Sequence, residues 1–273
     1  MNLVDVFVLD DWLQYSQKLF VRNLSHVSPK NSIASIAELF AVDPFKEEFW
    51  DCQIGDRHNF DSVAKHFFKS ANIELPLHYK LKKKLFSIKY ELENHVGSML
   101  DNSDVEISFL NDIYLSLASA PQPKRDDTKS TQIGIVSAWL QKSLGMFVKS
   151  YTHHHVKKSK IDILAISPLE NELWICQIGT KDHFDSAIQV LTDTDIEQTT
   201  KEFVPSLYTV KKKLLVVQSE FESYGPDNFP NAEIEILYLH NLINDEIEDI
   251  KQNLSDYPAG CLGILDEQSR MYQ

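Results

Sequence analysis

The sequence predicts an α/β protein built from two tandem copies of one unit, each copy a mixed central sheet flanked by helices. Three observations carry this expectation. A thirteen-residue stretch from Trp50 to Ser62 recurs from Trp174 to Ser186, with eight identical positions and no gap. Trp and Cys are rare, so a tandem duplication explains the match better than coincidence. Around each copy the same order of helical and extended patterns repeats. Between them, Ala120 to Lys129 is Pro-bearing, charged and poor in bulky apolar residues, as a linker is. The expected division is a first copy over 1–119, a linker over 120–130 and a second copy over 131–273.

The elements follow in order. Residues 3–19 read as an amphipathic helix, with Val4, Val8, Trp12, Tyr15 and Leu19 at three- and four-residue steps. Phe20 to Leu24 is a short strand. Ser35 to Val42 is a second, stopped by the turn signal Asp43-Pro44. Phe49 to Ile54 is a third, ended by Gly55, and Phe60 to Phe68 opens a helix. Strands are expected again at 84–88 and 105–110. The second half repeats this order at offsets of 127 (139 − 12), 124 (174 − 50) and 129 (211 − 82), a drift that small loop insertions explain. There Trp139, Phe147, Lys160 to Ile166, Lys211 to Leu214 and Glu235 to Leu239 match their counterparts, and a closing helix is expected near 241–254. Three strands in close succession allow a meander, and a later helix–strand unit allows a parallel crossover.

Composition bounds the function. A chain of 273 residues with 43% hydrophobic and 25% charged residues has the make-up of a soluble globular protein of two ordinary domains. Met1 to Asp5 lacks a signal peptide's basic region, and no apolar run approaches the roughly 20 residues that span a bilayer. Three cysteines, two at equivalent repeat positions, make no disulfide framework. A cytoplasmic location and no membrane association are expected. The net charge of −13 disfavours broad binding to phosphate backbones and suits basic protein partners.

In the second half, Ile161-Asp162-Ile163-Leu164-Ala165-Ile166 is followed by Glu172-Leu173-Trp174-Ile175-Cys176-Gln177-Ile178-Gly179 and then Phe184-Asp185. This order resembles the PD-(D/E)xK, or restriction-endonuclease-like, nuclease superfamily, and the first half carries a second, weaker copy. The resemblance implies two restriction-endonuclease-like domains packed as an internal pseudo-dimer. It also implies a site in which an Asp and a Glu hold a divalent cation while a Lys orients the attacking water. Asp162 takes the Asp position, Gln177 the Glu position, and Gly179 stands where Lys is expected. The first copy places Glu38, Gln53 and Gly55 there. Lys181 and Arg57, two residues beyond each Gly, are the candidates for a migrated cation. If the site is active its cofactor is Mg²⁺, with Asp162 and Gln177 as ligands; if it is not, none is required.

Other residues admit plainer readings. Trp50 and Trp174 suit a strand core better than a stacking platform, and Cys52 and Cys176 suit buried small apolar residues better than nucleophiles. Asp61 and Asp185 suit helix N-caps. His153 and His155 belong to a His-rich, basic stretch that either contacts phosphate or is simply solvated. Lys82, Lys83 and Lys84, and equivalently Lys211, Lys212 and Lys213, precede a strand in each copy and offer two symmetric basic spots for a nucleic-acid backbone. Three functions follow. The first is a non-cleaving nuclease-fold protein that binds nucleic acid or a protein. The second is a metal-dependent endonuclease with a variant site. The third is an acidic protein-binding scaffold. Oligomeric state beyond the internal pair is not encoded in these patterns.

Overall fold

A computed structural model describes residues 3–24, 38–55, 63, 74, 76–87, 105–110, 113, 128–151, 161–179, 184–193, 195–216 and 233–238. The first half supplies α1 (Leu3–Asp11), a π-helical turn (Trp12–Ser16), β1 (Phe20–Asn23), β2 (Glu38–Asp43), β3 (Glu48–Gly55), β4 (Lys80–Ser87) and β5 (Val105–Phe109). The second supplies α2 (Thr128–Lys142), β6 (Phe147–Ser150), β7 (Ile163–Ser167), β8 (Glu172–Gly179), α3 (Phe184–Thr192), α4 (Asp195–Thr200), β9 (Thr209–Val216) and β10 (Ile234–Tyr238). The chain is therefore α/β, and the ten strands among the described residues form one sheet in the order β10-β9-β8-β7-β6-β1-β2-β3-β4-β5. The two sheets expected from the repeat are edge-joined halves of this one. In each half an antiparallel meander of three strands is followed by two parallel strands.

Local chemistry explains the turns. Leu19 N donates to Leu13 O and Met146 N to Leu140 O, at 2.9 and 3.0 Å, so both first helices of the repeat end in the same six-residue closure. The residue inside that closure is left-handed in each copy, Lys18 at φ 59° and Gly145 at φ 67°. Glycine adopts that conformation without a Cβ penalty; lysine carries it against the usual preference. In the β2–β3 hairpin, Asp43 Oδ1 accepts from Phe45 N and Lys46 N, both at 3.1 Å, which folds the Asp-Pro turn back on itself. Glu47 and its counterpart Asn171 close the two hairpins with φ 52° and 53°.

Several expectations need correction. The helix expected over 3–19 stops being α at Asp11 and finishes as a π-turn, whereas the equivalent α2 stays regular to Lys142. The lysine triplets lie inside β4 and β9 rather than before them. α2 begins at Thr128, within the expected linker. Asp185 is the second residue of α3 and exposed, so it favours the helix dipole rather than capping it. Asp61, Arg57, His153, His155, Lys181 and the helix expected near 241–254 lie outside the described residues.

Alternation along the strands sorts the sheet into two faces. On one face α1 covers Val21, Leu39, Ala41, Cys52 and Ile54, and α2 covers Val148, Ile163, Ala165, Cys176 and Ile178. On the other, a single apolar cluster draws on both halves, from Phe20, Phe40, Val42 and Phe49 to Phe147, Leu164, Leu173, Ile175 and Leu214. Phe184, Ala187 and Leu191 of α3, spaced by three and four, seal it in the second half.

The halves meet at β1 and β6, which pair antiparallel with Val21 opposite its own repeat counterpart Val148. Ser150 N donates to Gln14 Oε1 and Asn23 N donates to Gln141 Oε1, each at 2.9 Å. Gln14 and Gln141 are equivalent at offset 127 (141 − 14), as are Asn23 and Ser150 (150 − 23), so the exchange is reciprocal. A further self-pair lies on the shared core face, where the hydroxyls of Tyr79 and Tyr208 are 2.9 Å apart. Six strands separate β4 from β9 in the sheet order, so the sheet curls to bring the residues just before them together.

Asp10 sits behind this junction and accepts from Gln14 Nε2. Burial, with the neighbouring Asp11 charge adding to it against hydrogen bonds from Gln14 and Asn23, pushes its carboxyl up to about 6. Gln14→Ala and Gln141→Ala are each expected to cost about 1 kcal/mol in urea unfolding, because each leaves a partly buried strand N–H without its acceptor. The Asp10 proton is held more tightly in the folded chain than in the unfolded one, where its value is near 3.8. Its contribution to stability is therefore full at low pH and is lost as pH rises through about 6. Urea midpoints measured from pH about 4 to about 7 are expected to show that decline, and Asp10→Asn to reduce it, the neighbouring Asp11, which burial also pushes up to about 6, keeping a part.

Candidate functional site

Asp162 and Gln177 lie close together in the second copy. Ile163 pairs with Cys176, and the Asp162 carboxylate accepts from Ile178 N at 2.8 Å, so Asp162 and Gln177 sit at one level of the sheet. Asp162 is 2% exposed and Gln177 1%. In the first copy Glu38 pairs directly with Gln53, the same relation at the same repeat positions. Both motif pairs thus occupy the meander, at the ends of strands that run into the core.

Gly179 decides what can stand at the lysine position. A Cβ there would lie 3.2 Å from Phe184 Cδ2, 3.3 Å from Leu214 Cδ1 and 3.5 Å from Val216 Cγ2. These distances leave no room for a longer chain unless the neighbours move, and the neighbours are core side chains. A side chain at this position therefore asks Phe184 and Leu214 to give way within a packed core, and the glycine suits the close approach of α3 to the strand.

A magnesium ion takes hard oxygen donors and keeps several waters. Asp162 and Gln177 offer one carboxylate and one neutral amide, both buried, and one carboxylate oxygen is already held by a backbone N–H. This donor set does not fit the ion. Among the described residues no three His, Cys, Asp or Glu side chains form a metal-holding group.

The two copies differ on this face. Where the second has Ile175, Gln177 and Val216, the first has Asp51, Gln53 and Ser87 at 1%, 0% and 0% exposure. Gln53 Nε2 donates to Asp51 Oδ1 at 3.1 Å, and Ser87 Oγ donates to Gly55 O at 2.6 Å. The Gln53 carbonyl oxygen has no hydrogen-bond partner among the described residues. Asp51 was open to notice in the sequence: within the repeated stretch a carboxylate replaces isoleucine two residues before the shared glutamine, on the same strand face.

The lysine triplets have another use. Lys84 Nζ lies 4.3 Å from the centre of the Trp50 ring and pairs with Glu106; Lys213 Nζ lies 4.2 Å from the Trp174 ring and pairs with Glu235. Lys82 pairs with Glu48 at 2.9 Å, Lys211 with Glu172, and Lys212 with Glu233 at 3.6 Å. Trp50 and Trp174 donate Nε1–H to Glu48 and Glu172 at 3.2 and 3.0 Å. The result is a cassette of Trp, two Lys and two Glu, laid across three adjacent strands in each copy. Lys211, then Trp174, hold the Glu172 carboxyl below its ordinary value despite some burial. Burial alone would raise Glu48, but hydrogen bonds from Lys82 and Trp50 leave it lowered. Cys52 and Cys176 are fully buried, and that burial pushes both thiols up, as suits core residues rather than nucleophiles.

No family model, curated protein or solved structure matches the chain. No helix among the described residues is long and apolar enough to cross a membrane.

Gly179→Lys is expected to destabilise the fold by about 2–3 kcal/mol, through overpacking and a buried charge, and to create no nuclease activity. Urea unfolding and a plasmid-nicking assay check the two parts.

Proposed function

We propose that this chain is a non-cleaving protein of the restriction-endonuclease-like fold that works by binding a macromolecular partner. The tight packing at Gly179 carries the reading: a Cβ at the position that would hold the catalytic lysine meets Phe184 and Leu214 at 3.2 and 3.3 Å. The poor fit of Asp162 and Gln177 to a divalent cation supports it. The palindromic strand order, the self-paired Val21 and Val148, and the reciprocal Gln14 and Gln141 bonds support an internal pseudo-dimer. A two-fold interface requires that if one residue meets a second, their counterparts do the same.

Of the two partner classes, a protein with a basic surface is favoured over nucleic acid. Lys82, Lys84, Lys211, Lys212 and Lys213 each already face a glutamate, so their charge is matched before any phosphate arrives. The net charge of −13 acts in the same direction.

Incubated with single- and double-stranded DNA and RNA and either Mg²⁺ or Mn²⁺, the purified protein is expected to leave every substrate intact. It is also expected to bind none of them in a salt-dependent way by fluorescence anisotropy. Cleavage that disappears in Asp162→Ala would overturn the non-cleaving reading. Low-salt binding that weakens when Lys211, Lys212 and Lys213 become alanine would overturn the choice of partner.

A further inference from the structure

At the seam between the halves lies a cleft of about 510 Å³, bounded by β1, the turn between α2 and β6, and the β7–β8 hairpin. Its volume falls in the range of small-molecule sites, roughly 300–1,000 Å³. Met146, Phe147, Leu169 and Trp174 supply apolar and aromatic wall, and Ser167 a hydroxyl. The cation in it is Arg22.

Arg22 is unlike the sheet lysines. Its Nε donates to Gln141 O at 3.0 Å, which fixes the plane of the guanidinium. Gly145 lies against that group: a Cβ there would be 3.5 Å from Cζ and from both Nη atoms. Among the described residues neither Nη has an acceptor and no carboxylate pairs with the group. Burial without such a partner leaves the guanidinium below its ordinary value. A held fork with two unengaged nitrogens matches the two oxygens of a carboxylate or phosphate.

The repeat provides the contrast. Lys149 is the counterpart of Arg22 (149 − 22 = 127), yet it is 4% exposed and lies 5.2 Å from the centre of the Phe203 ring. One member of the pair is stacked inside the core and the other opens on a cleft. Glu74 and Glu170 also line that cleft. Their charge opposes any anion and opposes a dianion about twice as strongly, so of the two a single negative group is the better guest.

We propose that the Arg22 cleft binds a small organic carboxylate, its carboxylate on the Arg22 fork and its apolar or aromatic body against Phe147, Leu169 and Trp174. Isothermal titration of the full chain with phenylacetate, 4-methylvalerate, phenyl phosphate and 2-phenylethanol tests this. One or both carboxylates are expected to bind, more tightly than phenyl phosphate and far more tightly than the neutral alcohol. Arg22→Met is expected to weaken the carboxylate at least about tenfold, with Arg22→Lys intermediate because it keeps charge without the fork. Ser167→Phe, which narrows the cleft and leaves Arg22 in place, is expected to weaken binding too, with thermal melts confirming that each variant is folded. Failure of both carboxylates to bind, equal binding of the alcohol, or binding unchanged in a folded Arg22→Met protein overturns the proposal; tighter binding of phenyl phosphate overturns the choice of carboxylate.

Discussion

The pairing of β1 with β6 is the constraint on which the rest of the molecule depends. Two five-stranded halves could each fold on a private core, but here the seam residues are shared. Gln14 and Gln141 each complete the backbone of the opposite half, and Phe20 and Phe147 enter one apolar cluster. Once Val21 lies opposite Val148, the order of the other eight strands follows from each half's own meander and crossovers. The strand order then places the β7–β8 hairpin near β1, and the Arg22 cleft is the space left between them.

The Trp–Lys–Glu cassettes show how the same sheet manages charge. A lysine inside a strand faces one side, and its neighbour the other. Lys84 and Lys213 therefore lie flat over the tryptophans of the adjacent strand, where the ring face attracts the ammonium and the next strand supplies a carboxylate. The stems cover apolar surface while the charge is neutralised beside it. A run of three lysines, which resembles a phosphate site when read along the chain, becomes a lateral brace when read across it.

Much of this was legible in the sequence, and the remainder was hidden for identifiable reasons. The duplication, the meander, the parallel crossover and the buried Cys52 and Cys176 all follow from periodicity and repeat alignment, because they depend on neighbours along the chain or on position in a strand. The partners of the lysines were not legible: Glu172 lies 39 residues before Lys211, and nothing local announces that pairing. The single sheet was hidden too, since either half could have ended at its first strand. Gly179 was visible as a missing lysine, but the reason, a helix crossing at Phe184, needed three dimensions. Arg22 looked ordinary because its distinction lies in what surrounds it.

The ten-stranded sheet also changes the problem of unsatisfied edges. Two separate five-stranded sheets would present four rows of open backbone N–H and C=O groups, each a template for another chain. Joining β1 to β6 removes two of those rows and leaves β5 and β10 as the flanks. Those two strands carry Glu106 and Glu235, the outer partners of Lys84 and Lys213. A charge on the outermost strand discourages a further strand from docking. The residues that brace the sheet internally also mark its outermost strands among the described residues.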